Sequence, residues 1–318
     1  MDDHSATPED LDGLELRRLR DLDLERAPAE GAPPHVASAS GVVRRGEFVY
    51  VIGDDMLDLA VFELAGDAPG KLIDALPGEA PKDAGERAKH KADLEALTAL
   101  PPVESQPYGG LLGLGSGSNT ERDRGFFRPF GADGSLDGDS RVVDLAPVYE
   151  TLRGELGDIN IEGAAVFEEC LWLFHRANRG GSNAVAEFTL TDLSETLAGD
   201  RVVDPDELSA LRTYELGAVD GVPLCFSDAT MLNDELVCFT ASAEDDDGAI
   251  LGSVVGTIGG NGEVHRLRTI DRRWKVEGVD ASLDTGMISF LFVCDQDEPD
   301  EPSPLLSATM PVDARFGA

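Results

Sequence analysis

Positive charge is what this sequence lacks most. Lysine occurs only at Lys71, Lys82, Lys89, Lys91 and Lys275, and Lys plus Arg reach 26 against 62 Asp plus Glu, a formal net charge of −36 over 318 residues. Such a surface repels nucleic acid and anionic membrane, so neither is an expected partner. The acidity is spread along the chain rather than gathered in a tail, as in salt-adapted proteins. About 1 M salt cuts the Debye length to roughly 3 Å and screens the self-repulsion, so a halophilic source is expected.

Cysteine is also scarce. Cys170, Cys225, Cys238 and Cys294 show no C-x-x-C spacing, and three of them stand in apolar strand-like runs, which predicts buried thiols rather than disulfides or metal ligands. No apolar run approaches the ~20 residues of a membrane span, and the first thirty residues are too charged for a signal peptide, so a cytoplasmic protein is expected. H-E-x-x-H, G-x-S-x-G and a P-loop are missing too, which removes the zinc-protease, serine-hydrolase and NTPase readings. The run Gly113, Gly115, Gly117 is followed by no helical pattern and is not a dinucleotide fingerprint.

What is present is a series of short β-segments bounded by Gly, Asp and Pro, clearest at 48–52, 171–174, 235–240 and 287–294. Helical turns are expected at 147–153 and 205–211, each with proline near its start. One pattern recurs: an acidic or hydroxyl residue, then small and apolar positions, a turn, and a strongly hydrophobic strand with a polar end. Asn-Ile-Glu-Gly-Ala-Ala at 160–165 and Lys-Val-Glu-Gly-Val-Asp at 275–280 open two copies, and 38–43, 92–97 and 226–231 open three looser ones.

The leading residues are Ser40, Glu95, Glu162, Asp228 and Glu277, at intervals of 55, 67, 66 and 49 residues. Each interval has room for the four strands of a propeller blade. The expected fold is therefore all-β, a five-bladed β-propeller, with a six-bladed ring or a β-sandwich as alternatives. Blades are expected near 36–76, 92–149, 159–216, 223–270 and 275–313, within a single domain from 13 to 318 after a disordered 1–12. The last copy has room for only three strands, so the alternating segment at 14–25 is expected to supply the fourth and close the ring.

First strands of propeller blades line the central channel, which brings Ser40, Glu95, Glu162, Asp228 and Glu277 into one ring. Two carboxylates ~5 Å apart repel by roughly 3 kcal/mol at an effective dielectric near 20. Such a ring either takes up protons or holds a cation, and an oxygen-only donor set points to a hard ion, calcium rather than magnesium.

The openings at 160–165, 275–280 and 221–232 (GVPLCFSDATML), with SGVVRRGEFVY at 40–50, resemble blade openings of the calcium-activated nucleotidase, or apyrase, family. The resemblance implies a five-bladed propeller with calcium on its axis, held by serine and glutamate side chains. Ser40, Glu95, Glu162 and Glu277 match that family's ligand types; Asp228 falls where it carries serine, with Ser227 adjacent.

Second strands end on the face where first strands begin, so Asp54 and Asp55, 115–119, 176–183, 244–247 and 295–297 are expected around the ring. In a chain so short of cations, Lys89, His90 and Lys91 on one blade and His175, Arg176 and Arg179 on the next gather there. With Asn178 and Asn183 they are candidates to hold a small anionic molecule. The expected function is calcium binding, with hydrolysis of a phosphorylated or anionic small molecule in view. A non-catalytic binding propeller and a phytase-like or lactonase-like ester hydrolase are the alternatives. No catalytic residue is assigned, and a monomer is expected.

Overall fold

The computed structural model describes residues 2–5, 9–81, 83–177, 181–189, 208–245, 247–295 and 298–312. Five sheets follow one another along the chain, and each runs as an antiparallel meander from an inner to an outer strand. Blade I comprises Ala39–Arg45, Phe48–Gly53, Asp58–Glu63 and Lys71–Asp74, and blade II Leu94–Leu100, Gly110–Gly115, Arg124–Pro129 and Arg141–Asp144. Blade III comprises Ile161–Phe167, Cys170–His175, Asn183–Thr189 and Leu208–Glu215, and blade IV Cys225–Asn233, Leu236–Glu244, Ile250–Gly259 and Val264–Ile270. Blade V has Val276–Asp284, Met287–Cys294 and Pro304–Pro311, and its fourth strand is Arg17–Asp21 from the N-terminus, paired antiparallel from Pro304↔Asp21 to Ser307↔Arg17.

The inner strand of each blade lies against that of the next, and that of blade V against that of blade I. This closed circuit of five is the expected propeller, and it excludes both the six-bladed ring and the sandwich. Apolar layers between blades hold it together. Leu112, Leu114 and Phe127 of blade II pack with Ala164, Leu173 and Phe188 of blade III, and the helix Ala146–Leu156 adds Val148, Tyr149 and Leu152. The scarce aromatics concentrate between blades III and IV, where Phe226 meets Phe174 at 5.0 Å and Phe239 at 5.2 Å, both edge to face. That geometry sets the positive ring edge on the negative face.

Two expectations about local structure give way. Leu208–Glu215 is the outer strand of blade III rather than a helical turn, because it pairs with Asn183–Thr189; residues 205–207 lie outside the described residues. The first residues are also not simply outside the fold. Asp2–Ser5 runs parallel to the outer strand of blade III and Glu9–Leu14 parallel to that of blade IV. Before closing blade V, the N-terminal segment thus covers the hydrogen-bonding edges of two blades that would otherwise be open to other chains.

The recurrent Glu-Gly dipeptide has a local cause. In every blade the inner strand slips register by one residue near its start, between Ala39 and Gly41, Leu94 and Ala96, Ile161 and Gly163, Phe226 and Asp228, and Val276 and Gly278. The extra residue of such a bulge is free of the ladder. The residue after it faces the neighbouring inner strand at close range: a Cβ on Gly163 would lie 2.7 Å from the Ala229 nitrogen and 2.8 Å from the Asp228 Cα. Backbone cannot yield as a side chain can. Gly163→Val is expected to destabilise the protein by about 1–3 kcal/mol or more, read as a lower denaturation midpoint in high salt; an unchanged midpoint would show that the blades are not in this contact.

Candidate functional site

The residues left over at the five slips are Ser40, Glu95, Glu162, Ser227 and Glu277. Four are those singled out in the sequence; in blade IV the place belongs to Ser227, not Asp228. Asp228 occupies the position that is Gly or Ala in the other blades, and it is fully buried. Its carboxylate accepts the amide N–H groups of Ala229 and, from blade V, Val279, each at 2.7 Å. It ties two inner strands together, each of its oxygens accepting one backbone N–H. The Ser227 hydroxyl lies 3.1 Å from both Thr240 Oγ1 and the Val276 carbonyl.

Glu95, Glu162 and Glu277 stand at the same end of their inner strands, near enough that Glu95 feels the charge of Glu162 and Glu162 that of Glu277. Burial pushes Glu162 up to about 7, with the Glu277 charge adding to the rise and Arg176 opposing it. Burial raises Glu95 well above its ordinary range, with Glu162, Asp54 and Asp93 contributing. Glu277 rises by burial against the pull of Arg176 and Lys275. Burial in a poorly solvated mouth is the common cause, with neighbouring carboxylates adding to it.

Protein cations already stand among these carboxylates. The Arg176 guanidinium lies 3.8 Å from both Glu162 and Glu277 and 2.7 Å from Glu244, so one side chain from blade III touches acids of three blades. Lys275 lies 3.5 Å from Glu277 and 3.4 Å from Asp295. Lys91 contacts Asp54 and lies 2.8 Å from Asp93. Arg122 is 2.8 Å from the other Asp93 oxygen. In this network seven carboxylates, Asp54, Asp93, Glu95, Glu162, Glu244, Glu277 and Asp295, face four cations.

Asp93 was not singled out in the sequence. It is buried and held in the left-handed region at φ 55°. Ser116 donates to its carboxylate, and Ser118 lies 3.3 Å from the same oxygen. A strained non-glycine backbone persists only where its surroundings fix it, as here. The sequence signal was its place in Lys91-Ala-Asp93-Leu-Glu95, where acid and base alternate just ahead of an inner strand. With Asp54 and Glu95 it forms the one group of three acidic ligand atoms, all within 4.8 Å of one another, found among the described residues.

The basic candidates divide. Arg176 and Lys91 are in the network as described. Lys89 is exposed and pairs with Glu86 at 2.8 Å, and exposed His90 lies 3.8 Å from Glu86 and from Glu121. His175 is no cation: buried, it accepts the Asn160 amide N–H at Nδ1 over 3.0 Å, and desolvation lowers it to about 4. Asn183 is likewise engaged by the fold, accepting from the amides of Ala177 and Phe226 and donating to the Leu224 carbonyl. Its amide clasps blade III to blade IV. Asn178 and Arg179 lie outside the described residues. All four cysteines are free, with Cys238 and Cys294 buried and Cys170 and Cys225 half-buried.

Asp280, three residues beyond Glu277, accepts the Arg44 amide at 3.2 Å, and burial pushes it up to about 7. A carboxyl raised on folding keeps its proton in the native state where the unfolded chain has released it. Its contribution to stability is therefore complete at low pH and lost as pH rises from about 4 to about 7. Asp280→Asn keeps an oxygen for the Arg44 amide. It should match the wild type near pH 4 and exceed its stability at pH 8 by on the order of 1–3 kcal/mol; equal differences in denaturation midpoint at both pH values would contradict this.

Comparison with known proteins adds the following. The profile of a family of unknown function, DUF6929, matches residues 35–310. No curated protein matches the sequence. The catalytic domain of a GH62 α-L-arabinofuranosidase from Coprinopsis cinerea is similar in fold, with a TM-score of 0.54 at 8% identity over 94% of this chain and 98% of the other. A GH62 hydrolase in complex with xylotriose has a TM-score of 0.49 at 11% identity over 91% and 95%. A hypothetical protein from Leishmania major has a TM-score of 0.45 at 11% identity over 93% and 91%. Likeness at such identity is one of fold alone.

Proposed function

The chain belongs to DUF6929, a family of unknown function, and we propose that it binds a hard divalent cation at the mouth of its central channel and, through that charge, a small anionic molecule. The observation that carries this reading is the convergence of Glu95, Glu162 and Glu277 from equivalent bulges, in a network whose acids outnumber its bases. The donor set, carboxylate oxygens with the hydroxyl of Ser40 and no nitrogen or sulfur ligand, suits calcium. Ser227 stands in the remaining ring place, and its hydrogen bonds to Thr240 and Val276 are compatible with one more contact. A bound cation would polarise an anionic substrate and water for hydrolysis.

A second reading has its own observation. Arg176 already bridges acids of three blades, which is what a purely structural staple at the hub does. Calcium content of the purified protein, together with turnover of nucleoside di- and triphosphates, phosphate esters and lactones with and without chelator, separates the two. Chelator-sensitive turnover of any of these supports the enzyme. Bound calcium without turnover gives the cation a structural role alone, and absence of calcium binding at millimolar concentration ends the proposal in favour of the Arg176 staple. Glu162→Gln should weaken calcium affinity by tenfold or more whether the bound ion is catalytic or structural, since it removes a charge from the donor set.

A further inference from the structure

Beside the axial cluster, between blades I and II, lies a cleft of about 200 Å³ whose lining includes Asp55, Glu79, Arg87, His90, Lys91 and Arg124. Four basic side chains in one small cleft are conspicuous where the whole chain has 26 Lys plus Arg against 62 acids. Their commitments differ. Lys91 turns its ammonium to Asp54 and Asp93, and Arg87 donates to the Pro81 carbonyl at 3.2 Å. His90 is exposed near Glu86 and Glu121. Arg124 is the outlier: its Nε is buried and has no hydrogen-bond partner among the described residues.

Arg124 is half-buried in the lining and meets no carboxylate among the described residues, so its partly desolvated charge lacks the partner that a bound anion would supply. Arginine's planar fork matches the paired oxygens of a carboxylate or phosphate. The acids of the lining do not fill this role. The Asp55 carboxylate accepts from the Ser38 hydroxyl at 3.0 Å, and Glu79 is exposed to solvent. We infer that this cleft is a binding site for a small molecule bearing an oxyanion, phosphate or carboxylate, held by Arg124 with His90 and Arg87 beside it. The inference deepens the proposed function by giving its anionic ligand a place, and it rests on that reading for the nature of the ligand. Lys91, shared by the cleft and the Asp54–Asp93 pair, joins the two sites.

The test is calorimetric titration of the full-length, chelator-treated protein with inorganic phosphate and, separately, with malonate. Binding of at least one at a dissociation constant of about 1 mM or below is expected, weakened at least tenfold by Arg124→Gln and several-fold by His90→Gln. Phosphate alone would identify a tetrahedral ligand and malonate alone a carboxylate; the site stands in both cases. Should Arg124→Gln fail to fold, the exposed His90 variant decides. Failure of both anions to bind the wild type, or binding untouched by the variants, overturns the inference. Calcium affinity measured on the same Arg124 variant should be unchanged. A protein that binds the oxyanion but no calcium therefore refutes the axial reading and not the cleft, and the converse result refutes the cleft alone.

Discussion

Replacing Arg176 with glutamine is expected to cost the cation-free protein about 3–5 kcal/mol, the usual penalty for stripping the partner from a buried charge. The guanidinium is the shared neighbour of Glu162, Glu244 and Glu277, and without it the mouth of the channel holds crowded carboxylates with Lys275, Lys91 and Arg122 as the remaining cations of the network. Urea denaturation in high salt with chelator reads the loss. It should shrink on acidification, since a protonated Glu162 needs no counter-charge, and calcium should restore part of it by supplying a cation to the same oxygens. A variant as stable as the wild type without calcium would mean that the network adds little to the hub.

Deleting residues 1–21 is expected to have a larger effect, loss of the cooperative transition altogether. The deletion removes the fourth strand of blade V, uncovers the edge of the third from Pro304 to Ser307, and exposes the outer edges of blades III and IV that Asp2–Ser5 and Glu9–Leu14 cover. Leu14 and Leu16 also leave the apolar layer they share with Ile270, Phe290 and Leu306. Three bare edges and an open ring predict aggregates in size-exclusion chromatography. A monomer that unfolds cooperatively would show that closure is dispensable. Deleting only residues 1–8 leaves the closing strand in place and should be much milder.

These outcomes also mark what could be read from the residues alone. Blade number was legible because each inner strand begins with the same local problem: a side chain on the bulge must face the axis while its successor stays small. Glu162-Gly163 and Glu277-Gly278 write that solution openly. Blade IV does not. There Asp228 takes the small-residue place and spends its carboxylate on backbone amides, and charge alone favoured it over Ser227. Which of two adjacent residues occupies a bulge is decided by cross-strand hydrogen bonding, which composition does not display.

The surroundings of the ring were harder to read because their contacts cross blades. Arg176 stands at the expected strand end, yet its role as counter-charge to three glutamates depends on side chains 14, 68 and 101 positions away in sequence. Asp93 gave only the alternation of Lys91, Asp93 and Glu95 as a hint. His175 and Asn183 misled for a common reason: a polar residue at a strand end can face the ligand side or satisfy the backbone, and here both satisfy it.

The central claim is that the glutamates of the ring share one cation. Long-wavelength diffraction from crystals grown with calcium tests it most directly. An anomalous peak on the axis, about 2.3–2.6 Å from carboxylate oxygens of Glu95, Glu162 and Glu277, is the predicted result. A mouth in which Arg176, Lys275 and Lys91 alone meet those carboxylates, with no anomalous density at saturating calcium, would contradict it.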